Sequence, residues 1–399
     1  MYQINNGVIY VKGAKRGAIY NLNNGDVFSI NEDACKIINK YIDKVDLIDS
    51  EKEYLNLLES NKLINKSFSS SKYIPKKKRD KLKLVWLEIT QACNMKCLHC
   101  YEGENHISDK NNSLSIDEWK KVIDDIANLS VDRVVIIGGE PCIHKNIKDI
   151  LLYLSEKNIS TTLFTNGYFL DDEMNNIIID NDINVKVSLY GQNSEVHDRI
   201  TGIKGSFNRL VENIKFLVSK GVKVNIAVTL MRENEIHYHD IKKFVGQLNV
   251  LGVRFDVIRE VIDGSQSNHL PVMKNIQKMA YRKKANFSIK KSDFDEYINR
   301  NTCWYSKLVV CENGDILPCV FERNVSYGNI RNNTLQEIIN SNSLQACWNF
   351  DFSRVEECKD CEYRYACKDC RPLAISNNSI NSKNPRCMYN PYDGEWKNG

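Results

Sequence analysis

Three cysteines, Cys93, Cys97 and Cys100, stand at C-x3-C-x2-C spacing. That spacing puts three thiols on one tight loop. Thiolates are the usual ligands of iron–sulfur clusters, and three of them can hold three corners of a four-iron cube. The fourth iron then lacks a protein ligand and is open to another molecule. Zinc is the alternative, because C-x2-C pairs are common zinc ligands. Structural zinc wants four ligands, and the further candidate on this loop is His99, wedged between two of the cysteines. A second series lies in the C-terminal quarter: Cys303, Cys311, Cys319, Cys358, Cys361, Cys367, Cys370 and Cys387. Its middle reads C-x2-C-x5-C-x2-C. Nine of the 14 cysteines fall after residue 300, so metal is a better account of them than scattered core thiols.

Bulk properties narrow the compartment. The chain has 399 residues, 42% hydrophobic and 27% charged, which is a globular composition with room for two or three domains. A formal net charge of +4 gives no case for nucleic acid or a membrane surface. The N-terminal residues have neither a basic n-region nor an apolar h-region. No apolar run approaches the ~18 residues that span a bilayer. A reducing cytoplasm, where disulfides are rare, is the expected setting.

The elements that must position these thiols follow from periodicity. Over 84–260 strand and helix patterns alternate six times, which implies a parallel sheet with right-handed crossovers. The strands are expected at 84–90, 133–137, 160–165, 185–189, 222–230 and 253–258. The helices are expected at 116–129, 147–154, 171–179, 206–219 and 236–248. Ser115 and Glu118 have the spacing of a capping box. In such sheets chemistry sits at the C-terminal ends of the strands. There the chain places Gly138-Gly139-Glu140-Pro141, Thr165-Asn166-Gly167 and Ser188. The two glycines let backbone come close to a ligand, and Glu140 can accept from an ammonium. A hydroxyl such as that of Ser188 both donates and accepts. Arg199 and Asn234 lie in later loops. Cys142, His144 and Cys35 read as packing, and Cys347 falls outside the cysteine series.

Residues 1–68 read as a separate small domain. Three short strands, with Asn23-Asn24-Gly25-Asp26 as a hairpin turn, precede two amphipathic helices. A 69–83 linker carries Lys76-Lys77-Lys78-Arg79, which reads as a solvated run. Residues 261–300 form a connecting segment without an assigned role, and 301–399 the cysteine-rich domain.

The C-x3-C-x2-C loop with Tyr101 after it, followed by Gly-Gly-Glu-Pro behind the next strand, resembles the radical S-adenosylmethionine (SAM) enzymes. The C-terminal series, with Gly314 ahead of Cys319 and the Tyr327-Gly328-Asn329-Ile330 step, resembles their SPASM extension. Residues 1–68 are similar to the peptide-recognition domain of enzymes that modify ribosomally made peptides, with a winged-helix-like appendage as the alternative. The resemblance implies an α/β fold, a partial (β/α)6 TIM-type barrel between those two domains. It implies S-adenosylmethionine as cofactor, near Gly138, Gly139, Glu140 and Ser188, and a cleaving cluster on Cys93, Cys97 and Cys100. Two auxiliary [4Fe–4S] clusters follow, one on Cys303, Cys311, Cys319 and Cys370, the other on Cys358, Cys361, Cys367 and Cys387, three clusters in all. The x2 step before Cys370 and the long step from Cys303 to Cys311 depart from the usual pattern. The implied partners are a precursor peptide, its leader added as a strand at a sheet edge, and an external electron donor of flavodoxin or ferredoxin type. The implied reaction is a cross-link, a Cys thioether first. Carbon–carbon linkage, epimerisation and formylglycine formation are alternatives, as is a non-catalytic iron–sulfur or zinc protein.

Overall fold

The computed structural model describes the chain except residues 76–80, 101–111, 261–264, 282–286, 301 and 398–399. The basic run at 76–79 and Tyr101 therefore lie outside the described residues. Two compact units form. One takes in 1–79, 281–305 and 348–399; the other takes in 80–280 and 306–347.

In the first unit β1 (Tyr2–Asn5), β2 (Val8–Lys12), β3 (Gly17–Asn21) and β4 (Asp26–Ile30) form an antiparallel meander. The two-residue β5 (Ser71–Lys72) closes the β1 edge, giving the order β4-β3-β2-β1-β5. Gly7 and Gly25 hold the turns at positive φ, where other residues are strained. Helices α1 (Glu32–Ile42) and α2 (Asp49–Ser60) cover one face through Ile4, Val8, Tyr10, Ile19, Ile38 and Leu55. The opposite face packs Ile9, Val11, Ala18 and Tyr20 against Ile289, Phe294 and Ala366. Burial on both faces explains why residues 8–11 are apolar without alternation. Three strands were expected; β1 and β5 are additional, and both are too short and polar to show a period of two.

The second unit is built on β6 (Leu84–Glu88), β7 (Arg133–Ile137), β8 (Thr161–Thr165), β9 (Asn184–Ser188), β10 (Val224–Leu230) and β11 (Gly252–Val257). All six are parallel and adjacent in chain order. Between them run α3 (Ile116–Asn128), α4 (Ile147–Glu156), α5 (Asp172–Asp180), α6 (Ser194–Thr201), α7 (Ser206–Ser219) and α8 (Tyr238–Val245). This is the parallel sheet expected from the six repeats, in the partial-barrel arrangement that the resemblance implies. Ser115 and Glu118 form the capping box. Helix α6 is the addition among these crossovers. Its eight residues include Glu195, His197, Asp198 and Arg199, and Gly202 in the left-handed region ends it.

A seventh parallel strand, β12 (Lys307–Val310), joins the sheet beside β6, and β13 (Ile316–Leu317) returns antiparallel to it. The hairpin carrying Cys311 thus extends the sheet. Leu308, Val309 and Val310 are too few to announce a strand by pattern. Because β6 and β12 run parallel, the Cys93 loop and the Cys311 turn leave the sheet at the same end, the C-terminal end of the strands.

Arg331 fastens α3 to the segment after this hairpin. Its Nε donates to Glu118 Oε1 at 2.7 Å, and its Nη atoms donate to Asn112 and to the Ser113 carbonyl. The Arg331 guanidinium leads the causes that hold Glu118 down to about 2. A depressed carboxyl stabilises the fold above its unfolded value and loses that contribution as pH falls through its folded value. Arg331→Met is expected to cost about 1 kcal/mol near neutral pH. The gap in urea midpoint between variant and parent should stay full down to about pH 4.5 and shrink below it.

Candidate active site at the strand ends

The Cys93 loop leaves β6 and is held by backbone on two sides. Lys96 N–H and Leu98 N–H donate to the carbonyls of Thr201 and Ile200, at 3.0 Å each. On the other side Gly139 N–H donates to Thr90 O at 2.8 Å, and Glu140 N–H to Ala92 O at 2.9 Å. The two glycines serve this crossing. A Cβ on Gly138 would stand 2.2 Å from Thr90 O, and one on Gly139 would stand 2.4 Å from Ala92 O. No side chain fits at either place, so the glycine turn lies directly beneath the thiol loop.

The three thiols are neighbours. Burial pushes Cys97 well up, and the neighbouring Cys100 and Cys93 sulfurs push it further. Burial also raises Cys93, whose sulfur meets the Asn166 side chain. Thiols in this state release protons when a metal binds them. Among the described residues no three His, Cys, Asp or Glu side chains converge on a position for a single ion.

Glu140 is fully buried and holds the ends of β7 and β8 together. Its Oε1 accepts from Cys142 N–H at 2.9 Å and from the Thr165 hydroxyl at 2.6 Å; its Oε2 accepts from Asn166 N–H at 2.7 Å. Burial raises its carboxyl, and those hydrogen bonds oppose the rise. Asn166, which by sequence was one residue of a turn tripeptide, donates through Nδ2 to Asn94 Oδ1 at 2.8 Å, inside the thiol loop. No sequence signal separates this asparagine from an ordinary turn residue.

Ser188 ends β9 beside the Tyr190 side chain, which lies near all three loop thiols. The ring of His99 stands edge-on to Tyr190, centroids 4.6 Å apart. Burial holds His99 down to about 4, hence neutral, and its Nδ1 finds no partner among the described residues. An unpaired buried nitrogen beside neighbouring thiols fits a site that a further group completes. Two other candidates are structural. Asn234 bonds Tyr190 O, Thr229 O and Met231 N–H, and Arg199 donates to Glu233 O. Cys142 packs against Thr165, and Cys35 lies in the core under the first sheet.

In the first unit, Cys358, Cys361, Cys367 and Cys387 also gather. Burial raises Cys358, with Cys367 and Cys387 adding to it, and burial raises Cys361, with Cys367 and Cys358 among its neighbours. Buried Arg371 ties this region down. It pairs with Asp369 and donates to the carbonyls of Ile380 and Ser382. In the second unit Cys311 and Cys319 flank the β12–β13 hairpin, and Cys347 is buried against Tyr327. All 14 cysteines are free of disulfides.

A model of the radical SAM superfamily matches residues 87–245, and one of an iron–sulfur cluster-binding domain, SPASM, matches residues 303–362. Residues 87–245 therefore form a radical SAM domain. These two domains indicate [4Fe–4S] clusters and S-adenosylmethionine. Among relatives, this chain is 28% identical over 313 residues to the antilisterial bacteriocin subtilosin biosynthesis protein AlbA of Bacillus subtilis, covering 74% of this chain and 69% of that one. It is 22% identical to the AdoMet-dependent heme synthase of Nitratidesulfovibrio vulgaris, over 77% of this chain and 93% of that one. Its fold is similar to that of Streptococcus suis SuiB bound to the precursor peptide SuiA, with TM-score 0.61 and 16% identity, over 96% of this chain and 99% of that one. No helix among the described residues is long and apolar enough to cross a membrane.

Removing the Glu140 carboxylate orphans three donors at once. Glu140→Ala is therefore expected to lose about 3 kcal/mol or more of stability in the metal-free chain, read from denaturant midpoints.

Proposed function

We propose that this radical SAM enzyme matures a ribosomally made peptide, joining a Cys sulfur to a carbon of another residue. The observation that carries the reading is the three-thiol loop seated over Gly138 and Gly139, with Glu140, Asn166 and Ser188 grouped around it. The relationship to a bacteriocin biosynthesis protein and the shared fold with a peptide-bound enzyme support a peptide substrate. With a four-iron cluster and S-adenosylmethionine bound, the site supplies a radical able to take hydrogen from an unactivated carbon.

The chain's own residues have distinct tasks. Cys93, Cys97 and Cys100 hold the cluster. The Ser188 hydroxyl reaches the cofactor, and Glu140 and Asn166 fix the strand ends beneath it. The glycine pair keeps the loop close to the sheet. The eight C-terminal cysteines hold two further clusters. The sheet of the first unit offers an edge to the leader peptide by strand addition. Tethering of this kind raises the local concentration of the core peptide to about the mM range. The electron donor is of flavodoxin or ferredoxin type, and the setting is cytoplasmic.

Two measurements test the reading. Anaerobically reconstituted protein should hold about twelve irons per chain. Changing Cys93, Cys97 and Cys100 together to Ala should remove about four of them and all S-adenosylmethionine cleavage. Cleavage surviving that change overturns the assignment. Ser188→Ala should keep the iron and weaken cofactor binding about tenfold, the effect of losing one hydrogen bond to a charged group.

The second measurement is mass spectrometry of the precursor after turnover, with thiol alkylation. A thioether takes one hydrogen from sulfur and one from carbon, so each link lowers the mass by two hydrogens and removes one alkylatable Cys. Two hydrogens lost with every Cys still alkylatable points to a carbon–carbon link. An unchanged mass with inverted residues points to epimerisation. Turnover of a porphyrin and not of the peptide moves the chain to the heme-synthase reading, which the 93% coverage of that relative motivates.

A further inference from the structure

The hairpin that bears Cys311 reaches the cofactor-cleaving loop through the residue next to it. Glu312 is buried, and its two carboxylate oxygens face opposite flanks of the three-cysteine loop. Oε2 accepts from Gln91 N–H at 2.6 Å, just before Cys93. Oε1 accepts from the Ser113 hydroxyl, on the far side of Cys100. The Glu312 carbonyl accepts from Leu114 N–H at 2.8 Å, so backbone and side chain grip the same flank. A second tie runs alongside. The Arg323 Nη atoms meet both oxygens of buried Glu88, at 3.0 and 2.6 Å, and Nη1 lies 3.9 Å from Cys311 Sγ. Glu88 is the last residue of β6, from which the loop departs. Buried charge-assisted hydrogen bonds are among the strongest local constraints available to a loop.

We propose that Glu312 is a positioning residue for the cofactor-cleaving cluster. It clamps both flanks of the Cys93–Cys97–Cys100 loop to the hairpin that carries Cys311, so the loop and that cysteine share one support. This inference rests on the radical SAM reading. The clamp needs the hydrogen bonds and not the charge. A glutamine can accept from Gln91 N–H through its carbonyl and donate to Ser113 Oγ through its amide.

The test uses the full chain, reconstituted anaerobically. Amide hydrogen exchange is followed in peptides covering Gln91 and Leu114, with peptides from β8 to β10 as an internal control. Electron paramagnetic resonance of the reduced protein is recorded with and without S-adenosylmethionine. Glu312→Ala should speed exchange at both flanks by about tenfold or more while the control stays as in the parent. It should also blunt the spectral change on adding S-adenosylmethionine. Glu312→Gln should restore most of both. Parent-like exchange at both flanks together with a parent-like spectral response in Glu312→Ala overturns the proposal. If Glu312→Ala does not fold, Ser113→Ala decides: the Leu114 flank should loosen while the Gln91 flank holds, and two unchanged flanks overturn the clamp. A parent protein that binds no iron, or never cleaves S-adenosylmethionine, defeats the family-level reading instead.

Discussion

The carboxylate of Glu140 has no water to turn to. A buried charge without partners is too costly to keep, so the chain must bring donors to it. It does so with backbone N–H groups from Cys142 and Asn166 and the hydroxyl of Thr165. Those donors belong to two different βα turns. Satisfying one carboxylate therefore fixes the ends of β7 and β8 against each other, and Asn166 passes that order on to Asn94 in the thiol loop. The loop has little secondary structure of its own. It is placed by what lies under it, and the glycine pair allows that placement because any side chain there would collide with backbone carbonyls.

Much of this was legible in the sequence, and the reason is periodicity. Six βα repeats with intact hydrophobic patterns gave strand and helix positions close to those observed, and the Ser115–Glu118 capping box formed as its spacing suggests. The cysteine spacings carried the chemistry because metal sites tolerate little variation in donor type. The rest was hidden for physical reasons. Strand β12 has only three consecutive apolar residues, and its place beside β6 depends on a partner more than two hundred residues earlier. Helix α6 is short and polar outside Val196 and Ile200. Asn166 and Glu312 act through hydrogen bonds across long separations, and such pairs leave no local pattern. The closeness of Gly138 and Gly139 to the loop backbone was also unreadable, because it depends on a crossing between two separate turns.

The first unit shows the same dependence on distant chain. Its sheet is apolar on both faces, and one of them is covered by residues from 289 to 298 and from 365 to 366. Tyr20 donates to the Glu362 carbonyl at 2.7 Å, beside Cys361. Residues 1–68 are thus half of a core whose other half arrives late in the chain.

The β6–β12 pairing also sets an order of events during synthesis. Strand β6 is among the first parts of the second unit to leave the ribosome, yet its neighbour on one side is made more than two hundred residues later. Until then one side of β6 is an open edge with unpaired N–H and C=O groups, in a strand of Leu84, Val85, Trp86 and Leu87. Open apolar edges recruit other chains, and pairings between distant segments form slowly. The seam at β6 and β12 therefore closes after the six crossover strands are made, and the β6 edge is exposed to aggregation in the interval before residue 310 is made.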